Sequence, residues 1–112
     1  MVSAAVLALC LVASETDECK RLAPKYEAKV EYRLWDGSRV DLLTPRYAIE
    51  VDWAPKWAEG IGQCLYYAEL TNRKPALMLL VKDVKAERHH IYRAQTVCAK
   101  HDIRLILERP AP

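Results

Sequence analysis

A chain of 112 residues with 52% hydrophobic and 29% charged residues is sized for one domain with a single core. That length is short for an enzyme carrying its own substrate-recognition module, so added specificity would come from a partner or from dimerisation. The formal net charge of +2 is too mild a bias to indicate nucleic-acid binding by composition alone, and it does not exclude it.

Met1 to Ala13 is almost wholly apolar, lacks Lys and Arg, and gives way abruptly to Ser14–Glu15–Thr16–Asp17–Glu18. A signal peptide over residues 1–14 explains that shift, with Leu11-x-Ala13 or Val12-x-Ser14 as cleavage sequences, and leaves residues 15–112 as an exported domain, periplasmic or secreted. The competing reading is a buried first helix in a cytoplasmic protein. A membrane span needs about 20 apolar residues, which this run does not reach. Cleavage would leave Cys19, Cys64 and Cys98, enough for at most one internal disulfide. Cys64 and Cys98 fall on helix faces expected to be buried, no zinc spacing is present, and adjacent His89 and His90 are expected to point apart on a helix.

Glu15–Lys29 is a charged, helix-compatible stretch that Pro24 should kink or end. Val30–Trp35 reads as a strand, Asp36–Gly37 as a hairpin turn, and Arg39–Leu43 as the returning strand. Thr44–Pro45–Arg46 then separates Arg39–Leu43 from Tyr47–Val51, a second apolar-alternating run. With Pro45–Arg46 as the turn, Asp41 pairs with Glu50, Leu42 with Ile49 and Val40 with Val51, so one face is apolar and the other carries carboxylates. Pro45 suits the primed turns poorly, so a longer loop with shifted pairing stays open. Two like charges facing across a strand pair require compensation, and a divalent cation is the usual one. Asp52, on the face of Glu50, has two readings: an ion pair with Arg39 across the strands, or a metal ligand.

Ala54–Pro55 opens a helix reaching about Thr71, with Trp57, Ile61, Cys64, Leu65 and Ala68 on its packing face. Lys56, Gly60, Gln63 and Tyr67 form a neighbouring stripe that begins within a turn of the carboxylate strand. Gly60 there leaves room for a ligand backbone. Ala76–Val81 is a continuous apolar run suited to a central strand, Glu87–Lys100 has helical spacing, and Ile103–Leu107 supplies a last strand before a frayed Pro110–Ala111–Pro112. The order (α)βββαβαβ predicts a mixed sheet flanked by helices.

With Asp41, Glu50 and Gln63-x-x-x-Tyr67 in these places, the chain resembles the PD-(D/E)XK nuclease superfamily, the restriction-endonuclease-like fold. That resemblance implies Mg²⁺ on Asp41 and Glu50 and phosphate or ligand orientation by Gln63 and Tyr67. It also suggests a first-helix acid beside the cluster, for which Glu27 is the candidate. Val40 stands where the family has a proline before the first acid, and Asp52 stands where it has a lysine. Lys56, one turn further on, could return an ammonium to the same point, as displaced lysines do in this superfamily. The block from Ala48–Ile49–Glu50–Val51–Asp52 to Lys56–Trp57–Ala58–Glu59 and Ile61–Gly62–Gln63 is similar to a group of small exported bacterial proteins whose biochemical role is not established.

The catalytic expectation is therefore Asp41, Glu50, Lys56, Gln63 and Tyr67, with Asp41, Glu50 and Asp52 holding Mg²⁺ or Mn²⁺ for phosphodiester hydrolysis. Arg39, Arg46, Arg73 and Lys74 are candidate contacts to a nucleic-acid backbone. The alternative is a catalytically inactive binding domain on the same scaffold, in which Trp53 and Trp57 offer contact area to a protein or small ligand.

Overall fold

A computed structural model describes residues 14–112. Of the expected leader over residues 1–14, residues 1–13 lie outside the described residues, and Ser14 is described. The elements are α1 (Glu15–Tyr26), β1 (Lys29–Arg33), β2 (Arg39–Leu43), β3 (Tyr47–Trp53), a 3₁₀ turn (Ala54–Lys56), α2 (Trp57–Thr71), β4 (Lys74–Leu80), α3 (Arg88–Lys100) and β5 (Arg104–Glu108). The five strands form one mixed sheet in the order β1-β2-β3-β4-β5, antiparallel through β3 and parallel from β3 to β5. The sequence therefore yields the expected mixed α/β class and element order.

Local chemistry accounts for the boundaries. Ser14 caps α1 by accepting from the Asp17 amide while Asp17 accepts from the Ser14 amide, a reciprocal pair that satisfies two otherwise free donors. Pro24 sits in the last turn of α1 without breaking it, and the helix stops at Glu27, held left-handed at φ 53°. Thr44 organises the β2–β3 turn: its hydroxyl accepts from the amides of Arg46 and Tyr47, and its own amide donates to the Tyr47 carbonyl. Pro45 and Arg46 are thus the turn residues, as one of the two sequence readings had it.

Two cores lie on opposite faces of the sheet. Cys19, Leu22 and Ala23 of α1 pack on Leu42, Ile49, Val51, Ala76, Met78 and Leu80. The other face takes α2 and α3, with Cys64, Ala94 and Cys98 against Leu77 and Leu79, and Tyr67 against Val40, Leu43 and Ala48. Because β4 lies inside the sheet and is covered on both sides, its apolar run needs no polar alternation. Cys19, Cys64 and Cys98 are all free and buried.

Three expectations are corrected here. Leu65 is 39% exposed, whereas Gly60 and Tyr67 of the supposed polar stripe are buried, so the packing face of α2 is rotated toward that stripe. The rings of His89 and His90 lie against each other, centroids 3.8 Å apart and tilted by 40°, instead of diverging. The C-terminal segment is tethered rather than frayed: the buried Glu18 carboxylate accepts from the Ala111 amide at 2.7 Å and from Arg21 at 2.8 Å, while Arg21 also donates to the Arg109 carbonyl.

Candidate functional site

The site is built where β2 parts from its neighbours. Leu42 pairs with Ile49 and Leu43 with Ala48, in the expected register, but the ladder goes no further toward Asp41 and Glu50. Instead the Asp41 carboxylate enters the gap and accepts from the Val51 amide at 2.8 Å. On the other side of β2, Glu31 lies in the rung between Val30–Leu42 and Tyr32–Val40 and is left-handed at φ 50°. A non-glycine residue held there within a strand costs about 1–2 kcal/mol, so the surrounding structure must enforce this kink. Val40 and Leu42 of β2, which share a face in a regular strand, join different cores.

The Asp52–Arg39 pair, one of the two readings of Asp52, is not formed. Arg39 lies 3.8 Å from Glu31 instead. Asp52 is 4% exposed, and its Oδ2 is buried without a hydrogen-bond partner among the described residues. The carboxylate face of β3 is covered by α2 at this point. A Cβ on Gly60 would fall 2.8 Å from Asp52 Oδ2 and 2.5 Å from a Leu77 methyl, so glycine here makes room for the carboxylate, not for a ligand backbone.

Asp41, Glu50 and Asp52 converge. Burial, the Asp41 charge and hydrogen bonds to both aspartates hold the Glu50 carboxyl far above the usual carboxylate range, so it keeps its proton and donates. Burial raises Asp52 to about 7, with Glu15 and Asp41 adding to it and the Glu50 hydrogen bond and Lys56 opposing. Asp41 is also raised by burial, although its bonds from Glu50 and Val51 favour the charged form. Burial thus holds all three carboxyl groups toward their protonated forms.

Several other residues complete the surroundings. Lys56 is exposed and its charge acts on both Asp52 and Glu15. Tyr67 is raised first by burial and then by the charges of Glu50 and Asp41. Gln63 is exposed, one turn before Tyr67 on α2. Glu27 is not part of the group: it caps the far end of α1. Glu15, at the start of that helix, is the acid that α1 brings within reach of Asp41 and Asp52. Sequence reasoning missed Glu15 and Glu31 because surface glutamates are common and neither stands in a spaced motif. Only the packing of α1 across β1 and β2 singles them out; Thr16 donates to Glu31 at 3.0 Å.

As donors these groups suit a hard divalent cation, since they are carboxylate oxygens, one of them buried and unpartnered. Among the described residues no group of three or more His, Cys, Asp or Glu side chains is placed so that it could hold a metal ion as it stands. The arrangement is thus a cluster of carboxyl groups held toward their protonated forms, and any cation bound there would have to displace protons.

Comparisons with known proteins give one relevant likeness. The chain is 33% identical over 82 residues to a KilA-N domain-containing protein of Acanthamoeba polyphaga mimivirus. The match covers 73% of this chain and 22% of the viral protein, so the chain spans about a fifth of that relative's length. No family model matches, and no solved structure matches. No helix among the described residues is long and apolar enough to cross a membrane.

Proposed function

We propose that this chain is a metal-dependent hydrolase of nucleic-acid phosphodiester bonds on a restriction-endonuclease-like fold. The observation that carries the reading is the convergence of Asp41, Glu50 and Asp52 from two diverging strands, with the Asp52 Oδ2 buried and unpartnered beneath Gly60. A cluster of that kind costs stability, and a function that needs concentrated carboxylate is a physical reason to keep it.

Asp41, Glu50 and Asp52 would hold Mg²⁺ or Mn²⁺, the free Asp52 oxygen being the donor with no competing bond. When bound, the ion would supply neutralisation of phosphate charge and a more acidic water. Without it, Glu50 stores a proton between the two aspartates. Lys56 brings a positive charge beside Asp52, suited to the extra negative charge of the transition state. The Tyr67 hydroxyl, inside the field of Glu50 and Asp41, and Gln63 on the exposed turn before it are suited to orient phosphate oxygens.

Asp52 in the superfamily's lysine position favours a second reading, a binding domain that retains the scaffold without catalysis. Export follows if residues 1–14 are a cleaved leader. The decisive experiment is calorimetric titration of Mg²⁺ and Mn²⁺ into the wild type, Asp41→Ala and Glu50→Gln, with cleavage assays on DNA and RNA using the same samples. Binding and cleavage lost together in both variants support the hydrolase. Binding without cleavage in the wild type supports the second reading. Neither property in a folded wild type overturns the metal-dependent hydrolase.

A further inference from the structure

At the turn end of the sheet, away from the carboxylates, the β2–β3 turn meets the segment entering β4. Pro45, Arg46, Asn72, Arg73 and Lys74 line a cavity of about 360 Å³ that contains three cationic residues and no acid. Pro45 and Arg73 also wall a second cavity of about 250 Å³, shared with Lys29, Tyr32 and Thr44, where Glu27 is the sole acidic lining residue. The two hollows therefore meet at Arg73.

Backbone bonds hold this arrangement. The Lys74 amide donates to the Arg46 carbonyl at 2.9 Å, and the Arg73 amide donates to the Ala68 carbonyl behind the left-handed Asn72. The three cations thus come from two segments tied to each other. They lack salt-bridge partners among the described residues, and Arg73 Nε is buried with no hydrogen-bond partner. Leaving a buried guanidinium donor unmatched costs energy that an anion would recover. A separate sign of the positive field is Tyr47, lowered first by its hydrogen bond from Arg104 and then by the charges of Arg104, Arg46 and Lys74.

We propose that the end of the sheet around Pro45 is a phosphodiester-binding patch, in which Arg46, Arg73 and Lys74 take the backbone of a nucleic-acid strand outside the carboxylate cluster. The choice of nucleic acid as the polyanion rests on the hydrolase reading. Arg46, in the turn that enters β3, lies four residues before Glu50, about 13 Å at strand rise, so a bound strand can span both. Arg39, paired toward Glu31, has no part in the patch. Tyr32, 41% exposed beside Lys29, adds an aromatic face at its rim.

The test is fluorescence anisotropy with single-stranded and duplex oligonucleotides across a salt series in EDTA, so that binding is read without metal or cleavage. The variants are Arg46→Gln/Lys74→Gln, both at exposed positions, Arg73→Gln, and a control Arg93→Gln/Lys100→Gln on the exposed side of α3. The expected result is binding weakened about ten-fold or more in the first double variant, with a salt slope lower by about 1.5–2, while the control changes by less than about three-fold. Arg73→Gln should weaken binding without altering Mg²⁺ titration. No binding by the wild type at low salt, equal binding by the patch variant, or an equal loss in the control would each overturn the patch. None of these outcomes touches the carboxylate reading, which Mg²⁺ titration of the same variants judges separately.

Discussion

Replacing Asp52 by Asn should stabilise the metal-free protein, and the gain should grow with pH. In the folded state burial holds this carboxyl near 7, against an ordinary 3.8. Because the folded value is raised, the unfolded chain gives up its proton first. Stability from this group is therefore present below about pH 4 and is lost as pH rises toward 7. The gap corresponds to a ceiling of about 4 kcal/mol at about 1.36 kcal/mol per pH unit, which dielectric relaxation around the carboxyl reduces to about 2–3 kcal/mol. Asparagine keeps the shape, can accept from Glu50 through its Oδ1 and carries no charge, so it should recover most of that amount at pH 8 and little at pH 4. For a domain of this size the gain corresponds to a melting temperature about 8–20 °C higher at pH 8. The assay is thermal and urea unfolding of both proteins in EDTA at pH 4, 6 and 8. A variant no more stable than wild type at pH 8, or one whose gain is the same at pH 4, would refute the argument that Asp52 is a destabilising buried charge.

The remaining expectations concern the same network and its supports. Mg²⁺ or Mn²⁺ binding near pH 7 should release about one proton or more from Glu50 and Asp52, read by calorimetry in buffers of different ionisation heat; an apparent enthalpy independent of buffer would contradict it. Gly60→Ala should cost about 1–3 kcal/mol in urea unfolding, because its methyl would meet Leu77 and the Asp52 carboxylate, and an unchanged midpoint would show that this contact relaxes freely. Glu18→Ala should lose about 1–3 kcal/mol by leaving the Ala111 amide and Arg21 unmatched, with faster proteolysis at the C-terminus as the accompanying sign.

What could be read from the order of residues was whatever depends on near neighbours in sequence. Alternation in Arg39–Leu43 and Tyr47–Val51, with a short polar turn between them, identified the hairpin and its register through Leu42 and Ile49. The apolar run before Val81 announced an interior strand, and Pro55, in the 3₁₀ turn that leads into α2, announced a helix. Those signals also brought Asp41, Glu50 and Asp52 to one locality, because a two-residue period and a tight turn leave little freedom. Contacts between distant segments decided the rest. Pairing stops beyond Leu42 because the Asp41 side chain, not its backbone, satisfies Val51, and Glu31 turns left-handed alongside. No local propensity reports such an exchange of partners. Glu15 reaches the cluster and Glu27 does not because α1 crosses the sheet with its first turn at the carboxylates, an orientation set by Cys19, Leu22 and Ala23 packing on β2, β3 and β4. Likewise Arg39 lies toward Glu31 and not Asp52, which is buried beneath Gly60 where α2 packs on β3. The types of the charged groups were local information; their protonation and their partners were set by burial, which belongs to the assembled fold alone.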